Sequence, residues 1–148
     1  MKSVIAVAVA FLAAIPAAAE SRSTSMNVSV RVVARAVLGV DEQPAAIVIT
    51  DADIDRGYVD VTEPIVLRVR TNNPAGYLLR AEKLDPAFTA IDLSMTGASM
   101  MVRDEEAWLH RPYSRSAEVL TIRARLYLAP GSRPRVASLP VTFSATPL

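Results

Sequence analysis

The sequence contains no cysteine and only one histidine in 148 residues. The absence of cysteine excludes thiol catalysis, thiolate metal sites and disulfide bonds, so stability has to come from burial and backbone pairing. A single histidine argues against a transition-metal site, because such sites draw on several histidine or cysteine ligands. Acidic and basic residues are nearly equal in number, at 15 and 16. This balance argues against nucleic-acid binding through a broad electrostatic field.

Long hydrophobic runs are also scarce, and the one present lies at the N-terminus. Lys2 supplies a positive start, and the apolar run that follows ends in the small residues Ala17, Ala18 and Ala19. This arrangement is typical of a signal peptide with its cleavage site, and the run is too short to span a bilayer. We expect residues 1–19 to be a signal peptide and residues 20–148 to form a single domain. An uncleaved N-terminal anchor is the alternative.

Alternating hydrophobicity dominates the rest of the chain. In "MNVSVRVVARAVL", residues 26–38, one parity is apolar and the other is largely polar. Because successive side chains of a strand point to opposite faces, this segment is predicted to be a long, half-buried strand. Similar runs recur in "AAIVIT", "VDVTEPIVLRVRT", "YLLRAEKL", "AEVLTIRARLYL" and "VASLPVTFSATPL". Turn signals such as "NNPAG" and "APGSRPR" separate them, and no convincing amphipathic helix is visible.

This pattern predicts an all-β protein. We expect an Ig-like antiparallel β-sandwich of seven to nine strands, with a small barrel as the alternative architecture.

Three aspartates alternate in "ITDADIDRGYVDV", residues 49–61. An EF-hand calcium loop requires glycine at its sixth position and glutamate at its twelfth. Counted from Asp51, the sixth position is Arg56, whereas Gly57 and Glu63 each come one residue late. The cation of Arg56 would also lie beside the metal. The segment is therefore interpreted as a solvated turn in which aspartates bind nearby backbone N–H groups.

Aromatic residues and the sole histidine cluster in "DEEAWLHRPYSRS", which is predicted to be a long loop or a single helical turn. Trp108, His110 and Tyr113 lie there beside arginines, and exposed aromatics of this kind can contact a sugar or a protein partner. Burial of Trp108 at one end of the sandwich is the favoured interpretation. No G-x-S-x-G motif accompanies His110, so the sequence predicts no catalytic residue, no metal site and no cofactor.

The order of these segments resembles the spore coat protein U-like group, the archaic chaperone–usher pilins. The resemblance rests on "VSVRVVARAVLGV", "AAIVIT" and "GYVDVTEPIVLRVRTNNPAGYLLRAE", followed by a closing alternating strand, and it spans most of residues 20–148. Members commonly carry a cysteine after the first strand and a partner in the strand that follows. Here those regions read Asp41 and "VRTNN", so the disulfide is missing.

The resemblance implies an incomplete Ig-like sandwich that lacks one strand. A periplasmic chaperone would lend a strand first, and at an outer-membrane usher the N-terminal segment of the next subunit would replace it. Backbone pairing then supplies affinity, and alternate side chains fill pockets. The expected donor face consists of Met26, Val28, Val30, Val32 and Ala34.

Two functions are thus expected from the sequence. The first is an exported, non-enzymatic structural subunit of a fimbria-like surface assembly, with no nucleic-acid partner and no transmembrane segment after signal cleavage. The second is a self-contained periplasmic β-sandwich that binds a ligand or protein through end loops bearing Trp108, His110 and Tyr113. A hydrolase would need a recognisable nucleophile and base, and none is present.

Overall fold

The computed structural model describes residues 28–148. The predicted signal peptide and Met26 lie outside the described residues. Residues 28–31 belong to one compact unit and residues 32–148 to another. The described residues of the first unit have no regular secondary structure and are exposed.

Strands dominate the second unit, and one short helix interrupts them. The elements in chain order are β1 (Ala36–Glu42), β2 (Ile47–Ile49), α1 (Asp51–Arg56), β3 (Tyr58–Asp60), β4 (Ile65–Thr71), β5 (Tyr77–Lys83), β6 (Phe88–Met95), β7 (Ala98–Val102), β8 (Glu106–Arg111), β9 (Glu118–Leu128), β10 (Arg135–Ala137) and β11 (Val141–Pro147). Within residues 28–148 no helix has the length and apolar character that a membrane crossing requires.

The strands form two packed sheets and a small ribbon, and every pairing is antiparallel. The large sheet has the order β1-β4-β9-β6-β7, and the second sheet has the order β11-β5-β8. The eleven-residue strand β9 pairs with β4 through residues 118–122 and with β3 through residues 125–127. Strands β2 and β10 form a separate two-stranded ribbon.

The core lies between the sheets and follows directly from the alternation in sequence. In β4 the odd-numbered residues Ile65, Leu67 and Val69 are buried, while Arg68 and Arg70 are exposed. Strand β9 buries its even-numbered residues between Leu120 and Leu126, and β5 contributes Tyr77, Leu79 and Ala81 from the opposite sheet. All of these residues belong to one hydrophobic cluster. Burial of each large apolar side chain stabilises the fold by about 1.5–3 kcal/mol.

The prediction of an all-β antiparallel sandwich is confirmed. The described residues contain eleven strands, more than the seven to nine expected. The excess arises from three-residue strands such as β3 and β10, which are too short to show an alternating pattern, and from β8, which lies in the segment predicted to be a loop.

The aspartate-rich segment forms the helix α1 and not the predicted turn. Thr50 is its N-cap, and Thr50 and Asp53 form a reciprocal capping box. Gly57 ends the helix in the left-handed conformation with φ of 80°, which glycine adopts without steric cost. The Asp53 carboxylate also pairs with Arg56, so capping and this ion pair use both of its oxygens. Among residues 28–148 no cluster of three acidic or histidine side chains could hold a metal ion.

Candidate functional site

The segment that precedes β1 differs from the strand predicted for it. The sequence predicts a strand over residues 26–38, but the strand begins only at Ala36. Residues 28–35 have no strand partner, and Met26 lies outside the described residues. The predicted donor residues Val30 and Val32 are 81% and 76% exposed. Four valines, Val28, Val30, Val32 and Val33, are thus presented to water within six residues of sequence.

Strand β1 forms one edge of the large sheet, because it pairs only with β4 among the described strands. The backbone N–H of Asn72 donates to the Arg35 carbonyl at 3.2 Å, which fixes the phase of the ladder. In an antiparallel pair, alternate residues direct their N–H and C=O groups to opposite sides. Ala36 and Leu38 therefore direct these groups away from β4, toward the edge. Their side chains are half-buried and pack against the core.

Strand β11 forms the corresponding edge of the second sheet, where its one partner within residues 28–148 is β5. Backbone bonds from the Leu84 N–H to the Pro140 carbonyl, at 2.9 Å, and from the Leu148 N–H to the Gly76 carbonyl, at 3.4 Å, flank its ladder. The same alternation then directs the N–H and C=O groups of Val141, Phe143 and Ala145 away from β5. Those three side chains point inward, with Val141 buried and the other two half-buried.

These two edge strands are neighbours on the same side of the sandwich. The apolar side chains of Ala36 and Leu38 on β1 and of Phe143 and Ala145 on β11 are half-buried and pack against the core. We call this region, formed by β1, β11 and these four side chains, the open side. On the opposite side, residues 103–105 run directly from β7 to β8 and cross between the sheets. The open side has no such connection, since its strands lie near the two ends of the described chain.

The two edge strands of the second sheet differ in their charged residues. Strand β8, at one edge, carries Glu106 and Arg111, and charged side chains on an edge discourage pairing with another chain. Strand β11, at the other edge, reads "VTFSATP" and has no charged residue. The β11 edge therefore combines unpaired backbone groups with an absence of the usual protection against strand addition.

The turn between β4 and β5, residues 72–76, closes one end of the open side. The Asn72 side chain accepts a hydrogen bond from the Arg35 N–H at 2.7 Å and donates one to the Val33 carbonyl at 2.9 Å. The neighbouring Asn73 side chain donates to the carbonyl of Leu148. One turn thus holds both the chain that enters β1 and the chain that leaves β11.

A cleft of about 950 Å³ lies away from the open side. Its lining includes Lys83, Phe88 and residues 103–106. The Lys83 ammonium group donates to the Arg103 carbonyl at 2.8 Å, so its charge is used to hold the chain that crosses between β7 and β8. The same lining carries the exposed carboxylates of Asp104, Glu105 and Glu106, of which Glu106 pairs with Arg80.

Trp108 and His110 lie on strand β8, so the prediction of a loop or helical turn for this segment is wrong. Trp108 is 47% exposed and does not fill one end of the sandwich, which overturns the favoured interpretation of it. The Arg80 guanidinium carbon lies 5.5 Å from the centre of the Trp108 ring, and the indole N–H donates to Glu106 at 3.1 Å. Hydrogen bonds from Trp108 and then from Arg80 lower the pKa of Glu106.

His110 shares the outward face of β8 with Trp108. Its Nε2 atom lies 3.3 Å from the Ala75 carbonyl oxygen, a contact that also attaches β8 to the turn at residues 72–76. Tyr113 lies beyond the end of β8 and is exposed. The structure therefore places Trp108 and His110 on one sheet face and Tyr113 in the connection that follows.

A polar cluster between the sheets consists of Tyr77, Arg111 and Glu118. The Tyr77 hydroxyl, on a residue that is 1% exposed, donates to Glu118 at 2.6 Å. Arg111 also donates to Glu118, through Nε at 3.1 Å. Burial, together with the hydrogen bond and charge of Glu118, raises the pKa of Tyr77 well above its ordinary value. Among the described residues no buried side-chain nitrogen or oxygen lacks a partner, so this cluster links the sheets and leaves no polar group free for a substrate.

Comparison of the chain with protein-family models, with curated proteins and with solved structures finds no match. The function is therefore argued from the geometry of the open side and of the segment before it. Sequence reasoning identified the apolar alternation of the valines before β1 and that of Val141, Phe143 and Ala145. It did not identify β11 as an edge strand, because alternation does not show whether a strand has a neighbour on both sides.

Proposed function

We propose that the protein is an exported structural subunit of a fimbria-like surface assembly that polymerises by strand addition. Residues 26–34 of one copy add as a strand to the open side of the next copy. The observation that carries the proposal is the presence, in one chain, of an exposed apolar segment without a strand partner and of two unpaired sheet edges.

Backbone chemistry favours β11 as the edge that accepts the strand. Its outward N–H groups belong to Val141, Phe143 and Ala145, and its outward C=O groups extend to Pro147. Pro147 has no N–H, so the ladder of donors ends there. Strand β11 has seven residues, and the segment Val28–Ala34 also has seven and contains no proline. The two segments therefore match in length, and every residue of the donor can pair.

Side-chain chemistry favours the even-numbered residues of the donor as the inward face. Met26, Val28, Val30, Val32 and Ala34 alternate with polar residues and with Val33. Facing the open side, they would cover Ala36, Leu38, Phe143 and Ala145. Full burial of one valine contributes about 1.5–3 kcal/mol, and several together offset the cost of ordering an extended segment. β-Branched side chains also suit the extended conformation.

Export and chaperone assistance complete the proposal. An unpaired edge with apolar side chains beside it is prone to aggregate in water, so a partner has to cover it until assembly. The resemblance to archaic chaperone–usher pilins and the N-terminal signal pattern support a periplasmic chaperone and an outer-membrane usher in that role. On this proposal the protein has no enzymatic activity and no cofactor, and it ends at the cell surface.

The test compares two neighbouring valines of similar exposure. Val32, which is 76% exposed, belongs to the proposed inward face, and Val33, which is 71% exposed, belongs to the other parity. We expect Val32→Asp to abolish polymer formation, more completely when combined with Val30→Asp, because a carboxylate would be buried against apolar side chains. Val33→Asp should assemble like the parent protein. The measurement is polymer yield from cells that export equal amounts of each variant; equal yields from Val32→Asp and Val33→Asp would contradict the proposal.

A second candidate function is supported by the exposure of Trp108. An indole ring that stands on a sheet face between Arg80 and Glu106 could contact a ligand or a protein partner. On this alternative the protein is a self-contained periplasmic sandwich, monomeric at all concentrations, whose binding depends on Trp108 and not on residues 26–34.

A further inference from the structure

We infer that Asn72 keeps the N-terminal segment out of the open side of its own molecule, so that strand exchange occurs between molecules. The inference rests on the proposed function, because it concerns which copy of the chain fills the open side. It assigns to Asn72 a positioning role that depends on its contacts with Val33 and Arg35.

The two edge strands have ends that lie close to each other. Strand β1 begins, and strand β11 ends, beside the turn of residues 72–76. The Asn72 N–H binds the Arg35 carbonyl, and the Gly76 carbonyl binds the Leu148 N–H. The chain that precedes Ala36 therefore starts close to the C-terminal end of the acceptor strand. Only Arg35 separates the proposed donor, whose described part is residues 28–34, from β1.

Because the segment and the open side lie so close, the segment can fill the open side of its own molecule. This intramolecular pairing competes with strand addition between molecules. A tethered strand faces its own acceptor at an effective concentration in the millimolar range, about 1 mM or more for a short connection. A partner molecule is present at far lower concentration. To reach its own open side, the segment has to reverse direction at residues 33–35, which requires a tight turn of about four residues. A restraint on those residues would therefore suppress the competitor.

Asn72 supplies such a restraint through both ends of its amide. Its oxygen accepts the Arg35 N–H at 2.7 Å, and its nitrogen donates to the Val33 carbonyl at 2.9 Å. The two bonds hold the peptide groups on either side of Ala34. The hydroxyl of Thr71 adds a third bond, to the Arg35 carbonyl at 3.0 Å. A turn at these positions would have to break these bonds, since it needs the same backbone groups in a different orientation.

The chain offers a matched control for this role. Asn73 is the same residue type in the same turn, but its amide nitrogen binds the Leu148 carbonyl and its oxygen accepts the Ala75 N–H at 3.2 Å. Neither bond involves the residues that precede β1. Asn72→Ala and Asn73→Ala therefore remove equivalent groups from one turn, and only the first removes the side-chain bonds to Val33 and to the Arg35 N–H.

The experiment uses the whole chain, purified after export, with either substitution. Light scattering on a sizing column gives the fraction of monomer, and NMR hydrogen exchange in the monomer fraction reports on the Phe143 and Ala145 amides. In the parent and in Asn73→Ala these edge amides should exchange rapidly. In Asn72→Ala we expect a larger monomer fraction and slowing of both amides by about tenfold or more, because the released segment pairs with its own β11.

The outcomes separate the inference from the proposed function. Unchanged assembly and rapid edge exchange in Asn72→Ala would overturn the inference and leave the proposed function intact. Slow edge exchange in the parent monomer would also overturn the inference, because the open side would then be filled despite Asn72. If the parent never assembles, the proposed function fails. In that case slowed edge exchange in Asn72→Ala would still support the restraint, and unchanged exchange would overturn it.

Discussion

Single side chains hold the two sheets together at the end of the sandwich where β5, β8 and β9 meet. Glu118 on β9 accepts hydrogen bonds from Tyr77 on β5 and from Arg111 at the end of β8. The arginine neutralises the carboxylate, and the tyrosine contributes an apolar ring together with a polar tip. This cluster explains how a cysteine-free domain joins its sheets by a specific contact in the absence of a disulfide.

We expect Tyr77→Phe to lower the free energy of unfolding by about 1.5–3 kcal/mol at pH 7, the usual net value of one hydrogen bond to a charged group. The raised pKa of Tyr77 gives this contribution a definite pH dependence. The folded state holds the tyrosine proton more tightly than the unfolded state. The contribution is therefore complete below the unfolded pKa, about 10, and is lost as pH rises above it.

Urea unfolding of the parent and of Tyr77→Phe between pH 7 and pH 11 measures this effect. The difference between the two stability curves isolates Tyr77 from the other tyrosines and from Lys83. It should be constant up to about pH 10 and shrink above that value. A difference that stays constant to pH 11 would show that the Tyr77 pKa is ordinary.

At the scale of the element, alternate residues of β11 differ both in the face that their side chains occupy and in the edge to which their backbone groups point. Thr142, Ser144 and Thr146 face outward, and their backbone groups pair with β5. Val141, Phe143 and Ala145 face the core, and their backbone groups point to the free edge. Backbone substitutions at even-numbered residues of β11 should therefore affect the pairing with β5, and those at odd-numbered residues should affect the free edge.

Proline makes this distinction measurable, because it removes one backbone N–H. Ala145→Pro removes an N–H from the free edge, so we expect a small change in melting temperature and a loss of polymer formation. Ser144→Pro removes an N–H that pairs with β5, so it should lower the melting temperature substantially more. Thermal unfolding of the two variants provides the measurement, and assembly is assayed on the variant that folds. Equal melting temperatures would show that the ladder has a different phase.

At the scale of the whole molecule, the proposed function assigns to the chain a donor and an acceptor that differ from each other. A contact between unlike surfaces repeats head to tail and gives an open filament unless the rotation closes a ring. The segment before β1 and the β11 edge are such a pair. The turn at residues 72–76 binds the chain both before β1 and at the end of β11. The contact between successive copies would therefore lie beside this turn.

A chain that lacks residues 20–30 tests the donor and the acceptor independently. We expect it to fold, because residues 28–30 have no strand partner, and to lose head-to-tail polymer formation. A peptide spanning residues 25–38 should then bind the truncated chain and raise its melting temperature. At a peptide concentration about 100 times the dissociation constant, the stabilisation should be about 2.7 kcal/mol. The same peptide with Val30→Asp and Val32→Asp is the control. A self-contained sandwich would respond to neither peptide.

The elements that the sequence predicted well are those whose alternation runs over seven or more residues. Strands β4, β5, β9 and β11 lie within the predicted runs. The helix α1 was missed because six residues are too few to show a helical period, although Thr50 followed three residues later by Asp53 is a capping signal. Strand β8 was missed because polar residues at its ends obscured the short alternation of Ala107 and Leu109.

The sequence by itself determined the class of fold and the apolar face of each long strand, because side chains alternate about the backbone whatever the strand's neighbours are. Tertiary structure alone decided which strands became edges. An edge is defined by the absence of a neighbour, and neighbours are set by contacts between residues distant in sequence. For this reason the valines before β1 could be read from the sequence, whereas the free backbone groups of β11 and the two bonds made by Asn72 could be found only in the folded chain.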